Sequence, residues 1–120
     1  SMERGAAMAA SLAVGHPVVV TEEPTLADSL GGGIGLGNRM TFAMCRALLD
    51  DVILVSEDEI AAAMRHIHAV TGDGVEGAAA VGVAAILAGR ISVGRATLCI
   101  LSGANVAPET VARILRGQAV

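Results

Sequence analysis

The stretch "VILVSEDEIAAAM", residues 52–64, sets two structural signals side by side with nothing between them. Val52, Ile53, Leu54 and Val55 form a short apolar run without polar alternation, the pattern of a strand covered on both faces in a parallel sheet. Ser56 then opens a helix. Its hydroxyl is placed to accept from the Glu59 amide while the Glu59 carboxylate reaches back to the Ser56 amide, a capping box. Glu57 and Asp58 add negative charge at the positive end of the helix dipole. The helix is predicted to run to about Thr71, where Gly72-Asp73-Gly74 stops it. A strand feeding directly into a helix is the repeating unit of an α/β layer.

The segments on either side alternate in the same way. Residues 4–14, "RGAAMAASLAV", are good helix formers closed by Gly15, and "PVVV" at 17–20 reads as a short strand. Pro24 and "GGGIGLG" at 31–37 break regularity, and Asn38 can cap a helix that carries Phe42, Cys45, Leu48 and Leu49. "AAAVGVAAILAG" at 78–89 is apolar around most of its circumference, so a helix there is expected to be buried. "ATLCIL" at 96–101 reads as another apolar strand, and Pro108 opens a last helix, "PETVARILR", that ends near Gly117. The predicted fold class is therefore α/β, a mostly parallel sheet with helices packed on it.

At 120 residues one domain, or a piece of one, is expected. Hydrophobic residues make up 53% of the chain and mean hydropathy is +0.65, yet Phe42 is the sole aromatic residue. A domain this small removes only about two thirds of its unfolded surface from water, so this composition leaves apolar patches exposed. A missing covering layer follows, either a partner subunit or the rest of a longer chain, and with it an expectation of homo-oligomers. The net charge is −4 and the eight cations are arginines scattered singly, which argues against a nucleic-acid partner. No apolar run approaches the ~20 residues of a membrane helix. Cys45 and Cys99 lie in apolar segments without CxxC spacing and read as reduced, buried thiols of a cytoplasmic protein.

In parallel α/β sheets ligands collect beyond the carboxyl ends of strands. Ser102 stands at such an end, where "LCILSGANV" at 98–106 turns from apolar residues to Ser102, Gly103, Ala104 and Asn105, although these are also ordinary turn residues. "GGGIGLG" fits G-x-G-x-x-G in no register and follows no clear strand, so it is either a plain loop or a backbone lying against a flat ligand. Glu76 is a lone carboxylate ahead of a wholly apolar helix, where it either faces a ligand or answers the helix dipole. His66 and His68, two apart on a helix, point to different faces and share no metal. Asp50-Asp51 reads as a solvated turn.

Three blocks, "ADSLGGGIGLGNRMTFAMCRALLDDVILVSEDEIAAAM", "VEGAAAVGVAAIL" and "LCILSGANV", resemble in order and spacing the C-terminal portion of the fold type II pyridoxal-phosphate enzymes. This is the group of threonine and serine dehydratases and serine racemase, with a tryptophan synthase β-like fold. The variants "ERGAAMAASLAVG" and "GGGIGLGNRMTF" most resemble the hydroxyectoine-utilisation branch.

Ser1-Met2 reads as a cloning scar, and the resemblance implies that residues 1–120 are one C-terminal segment and that the substrate is a β-hydroxy amino acid converted to a keto acid and ammonia. It assigns Ser102 to the pyridine nitrogen of the cofactor. A neutral hydroxyl there leaves the ring a milder electron sink than an aspartate would. It places Gly103 and Asn105 in the same turn, Gly33 and Gly35 in the loop that passes the cofactor, and Glu76 near the ring. The sequence departs from the family at Ala104, where the turn has a second glycine, and in "EGAAA", which lacks the usual proline. Gly5 and Ala7 fall where the family's divalent-metal donors stand, so no metal site is expected from them. The sequence contains no lysine, so the Schiff base that defines this chemistry is formed by no residue of this chain, and the chain alone is expected to be inactive. The competing reading is a free-standing, non-catalytic α/β module that binds a small anion or oligomerises.

Overall fold

The computed structural model describes residues 1–118. Five helices follow one another: α1 (Ala7–Val14), α2 (Met40–Leu48), α3 (Glu57–Thr71), α4 (Gly77–Leu87) and α5 (Pro108–Leu115), with one 3₁₀ turn at Asp28–Leu30 between α1 and α2. Local chemistry sets most of their ends. Gly15 and Gly72 close α1 and α3 with positive φ, at 90° and 80°, a region open to a residue without a Cβ. At the head of α3 the Ser56 hydroxyl accepts from the Glu59 amide at 3.3 Å, and the Glu59 carboxylate accepts from the Ser56 amide at 2.7 Å. Pro108 occupies the start of α5. Asn38 acts one residue earlier than a helix starting behind it would require: Arg39 is the capping position of α2, yet Asn38 Oδ1 still accepts from the Phe42 amide at 3.0 Å and the Thr41 hydroxyl at 2.7 Å.

The core forms where α3 lies on α4. Ile60, Ala63, Met64 and Ile67 recur at helical spacing on α3 and meet Ala79, Ala80, Ala84 and Ala85 of α4. Alanines on α4 let the two backbones approach, and Ile114 of α5, Val55, Val75 and Met2 close the cluster. The apolar circumference of α4 is only partly used: Val81 and Val83 are half-buried and Leu87 is exposed, so this helix is buried on the α3 side rather than all round.

The expected parallel sheet is absent among the described residues. Segments 17–20, 52–55 and 96–101 form no ladder, and the sole strand-like feature is an isolated parallel bridge between Met2 and Val55. It is held by the Glu3 amide on the Val55 carbonyl (2.9 Å) and the Val55 amide on the Ser1 carbonyl (2.8 Å). The reason is that an apolar run supplies strand propensity, whereas a ladder requires a neighbour in register.

The surface is correspondingly apolar. Leu98, Val19, Met40 and Ile100 are 78–88% exposed, and Met40, Met44 and Leu48 line one side of α2 in open solvent. The accessible surface is 7487 Å², whereas a folded monomer of 12.0 kDa exposes about 6,000 Å² by the mass scaling of compact proteins. The excess of about 1,500 Å² is larger than the ~800 Å² one partner contributes to a standard protein–protein interface.

Candidate functional site

The site is built where two loops meet at the head of α4. The first runs from Thr25 to Leu30. Glu57, in the first turn of α3, accepts from the Thr25 hydroxyl at 2.6 Å and from the Leu26 amide at 2.7 Å, and Thr25 Oγ1 accepts in turn from the Ala27 amide at 3.1 Å. This fixes the Leu26 carbonyl directly against Gly77, the first residue of α4, where a Cβ would collide with it. The same loop delivers Ser29, whose hydroxyl donates to Glu76 Oε2 at 3.3 Å.

The second loop is the 102–105 turn. The Glu76 amide donates to the Gly103 carbonyl at 3.1 Å, and the Asn105 amide donates to Glu76 Oε1 at 2.9 Å. Gly103 lies flat on that carboxylate: an added Cβ would stand 2.6 Å from Oε1 and 2.8 Å from Cδ. Glu76 is the capping residue of α4, but its carboxylate accepts from no amide of its own helix. One acceptor on each oxygen is used, Oε1 by the turn and Oε2 by Ser29. Among the described residues no cation pairs with it.

Ser102, Gly103, Glu76 and Asn105 are thus brought together. The turn divides two clefts. Glu76 and Asn105 line one of about 360 Å³ with Thr25, Ser29 and Gly77. Ser102 and Gly103 line the other, about 590 Å³, with Thr71, Asp73 and Leu101. The Ser102 side chain is exposed, and among the described residues its hydroxyl has no hydrogen-bond partner. It is a neutral group able to donate or accept, next to a residue with no room for a side chain. The glycine loop is not gathered in: a Cβ on Gly33 or Gly35 would meet nothing within 4 Å, and Gly35 has φ +79°.

A larger concavity, about 800 Å³, lies elsewhere, between α1, α2 and residues 49–54, where Ala6, Ala9, Ala10 and Ala13 of one wall face Arg46, Asp50 and Asp51. Gly5 is on its wall. Among the described residues no three His, Cys, Asp or Glu side chains cluster closely enough to hold a metal ion. His66 is exposed, and His68 Nδ1 lies 3.2 Å from the Asp73 carbonyl. Both cysteines are free and half-buried rather than buried. No described helix is long and apolar enough to cross a membrane.

Three residues of this nexus escape a reading of the sequence by itself. Ser29 and Glu57 act across 47 and 31 residues and leave no local signature. Gly77 does leave one, a glycine at the first position of a helix where most residues would serve better, which signals close approach of another backbone.

The family described as "Pyridoxal-phosphate dependent enzyme" matches residues 1–103. A Sinorhizobium fredii protein named "Putative threonine dehydratase" is 56% identical over 107 residues, which covers 88% of this chain and 32% of that protein. The L-threonine ammonia-lyase of Geobacter sulfurreducens is 38% identical over 106 residues, 88% of this chain and 26% of that protein. Among solved structures, the processed form of threonine deaminase isoform 2 from Solanum lycopersicum superposes with a TM-score of 0.82 at 27% identity, over 99% of this chain and 35% of that one. Maize serine racemase gives 0.76 at 28% identity over 98% and 36%. The chain spans about a third of the length of the relatives it matches, and with a family match over 103 of its 120 residues it belongs to the pyridoxal-phosphate dependent enzymes.

Proposed function

We propose that this chain is the C-terminal portion of a pyridoxal-phosphate dependent dehydratase, an ammonia-lyase that removes the hydroxyl of a threonine-like or serine-like amino acid to leave a keto acid and ammonia. The observation that carries the reading is the 102–105 turn: an exposed, unpartnered hydroxyl at Ser102 beside a glycine with no room for a Cβ, fastened to the head of α4. That donor set fits the nitrogen edge of the cofactor. It does not fit the carbonyl edge, since a chain without lysine offers no side-chain amine there.

When bound, pyridoxal phosphate supplies the electron sink for breaking the Cα–H bond of the amino acid. Ser102 holds the ring nitrogen through a neutral hydrogen bond and leaves it largely unprotonated. Gly103 and Asn105 keep the turn in place, Glu76 anchors it, and the Gly33–Gly35 backbone lies along the ring once the N-terminal part of the enzyme is present. In the same reading that N-terminal part carries the lysine, supplies the neighbours that complete a parallel sheet from segments 17–20, 52–55 and 96–101, and covers the apolar surface. This chain alone is inactive, the intact enzyme is a cytoplasmic homo-oligomer, and the stretches "ERGAAMAASLAVG" and "GGGIGLGNRMTF" ally it with hydroxyectoine utilisation.

Substitution of Ser102 in the full-length enzyme tests this. Ser102→Ala removes one hydrogen bond to a buried heterocycle, about 1–3 kcal/mol, which lowers turnover roughly 5- to 150-fold. Ser102→Asp raises the proton affinity of the ring nitrogen and shifts the absorbance of the bound cofactor. Unchanged turnover and unchanged spectrum in both variants would end the assignment.

A further inference from the structure

We infer that Glu76 is a positioning residue that works through oxygen acceptors rather than through its charge, tying the Ser102 turn to the loop ahead of the glycine run. The inference rests on the assignment of the 102–105 turn to the cofactor and goes beyond it in naming what sets the turn's place. A capping side chain ordinarily accepts from the amides of its own first turn, as the Ser56 hydroxyl does on α3. Glu76 does not. Its two oxygens go to different segments, Oε1 to the Asn105 amide at 2.9 Å and Oε2 to the Ser29 hydroxyl at 3.3 Å. Its own amide holds the Gly103 carbonyl at 3.1 Å, so the turn is gripped at both ends by one residue.

Both donors to the carboxylate, the Asn105 backbone amide and the Ser29 hydroxyl, are neutral, and no cation pairs with it among the described residues. An amide side chain of the same length can do the same work. Glutamine keeps an oxygen for the Asn105 amide, and its NH₂ can donate to the Ser29 hydroxyl, which accepts as readily as it donates. Charge facing the cofactor would make glutamine as damaging as alanine. A clamp makes glutamine a rescue. Ser29 also gives the grip a second function: it stands two residues ahead of Gly31, so the turn and the start of the glycine run share one anchor.

The test compares Glu76→Ala, Glu76→Gln and Gly103→Ala in the full-length enzyme by hydrogen exchange of the peptide spanning 99–107, first stripped of cofactor and then loaded. Loss of one such bond is expected to speed exchange of the Asn105 amide roughly five- to tenfold in Glu76→Ala. Glu76→Gln should restore most of the protection. Gly103→Ala, whose methyl displaces the movable carboxylate rather than backbone, should mimic Glu76→Ala while the protein stays folded. In the loaded protein the cofactor absorbance should shift in the two alanine variants and return in the glutamine one. Unaltered exchange in Glu76→Ala, or equal loss of protection in Glu76→Gln, overturns the clamp. Altered exchange in the stripped protein with no change of spectrum in any variant leaves the clamp standing and instead removes the turn from the cofactor.

Discussion

Gly77→Ala is the substitution whose outcome follows most directly from the packing. A methyl at residue 77 is driven into the Leu26 carbonyl and lies 2.9 Å from Leu26 Cβ. Leu26 has nowhere to retreat, because its amide is held to Glu57 Oε2 at 2.7 Å and the Thr25 hydroxyl to Glu57 Oε1 at 2.6 Å. Overpacking of this kind costs about 1–3 kcal/mol. Alanine returns at most about 1 kcal/mol over glycine in a helix interior, and less at the first position. A net loss of about 1–2 kcal/mol is expected, a five- to thirtyfold fall in the ratio of folded to unfolded protein. Urea unfolding should show it as a lower midpoint at unchanged slope. Because Ser29 rides on the same loop, the Asn105 amide should lose protection as well. A midpoint equal to or above that of the wild type would mean that the Thr25–Leu30 loop yields freely, and the rigid nexus at the head of α4 would be refuted.

Removal of the α3 capping box by Ser56→Ala is expected to cost about 1 kcal/mol, read as a lower melting temperature. Glu59 is held below the ordinary glutamate range first by the Ser56 amide and then by the Arg90 guanidinium at 2.9 Å. Its folded value lies below its unfolded one, so its stabilisation is fully present above the ordinary range near pH ~4.3 and fades as pH falls through the folded value. Arg90→Ala should therefore flatten the acid side of a stability titration and leave the slope above pH ~6 untouched, whereas an unaltered acid limb would remove Arg90 from that role. The apolar excess of this surface should drive the isolated chain into dimers or larger species in sedimentation velocity; a clean monomer at high micromolar concentration would count against it.

What the sequence declares by itself is what depends on neighbours three or four residues away. Ser56 with Glu59, Gly15, Gly72 and Pro108 fix helix ends through bonds that close within a turn, and they stand where the pattern places them. Strands are different, since Val52–Val55 has the composition of a buried strand but gains a ladder only from another segment, and Met2 alone bridges to it. The site divides along the same line. Ser102, Gly103 and Asn105 are contiguous and visible as a turn, whereas the grip of Glu76 on them spans 29 residues. Ser29 and Glu57 reach still farther, and nothing in their local sequence marks either as a partner. Gly33 and Gly35, legible as a loop, stand clear of the turn because the described chain provides nothing for that backbone to lie against.

The most direct measurement uses the 120-residue chain by itself, incubated with pyridoxal phosphate and threonine or serine, assayed for keto acid, then reduced with borohydride and mapped by mass spectrometry. With no lysine among its residues, the chain is expected to release no keto acid above background and to carry no cofactor on any side chain. The full-length enzyme treated in parallel should carry the adduct on a lysine outside these residues. Turnover by the 120-residue chain alone, or a stoichiometric side-chain adduct within it, would contradict its reading as the C-terminal portion of the enzyme.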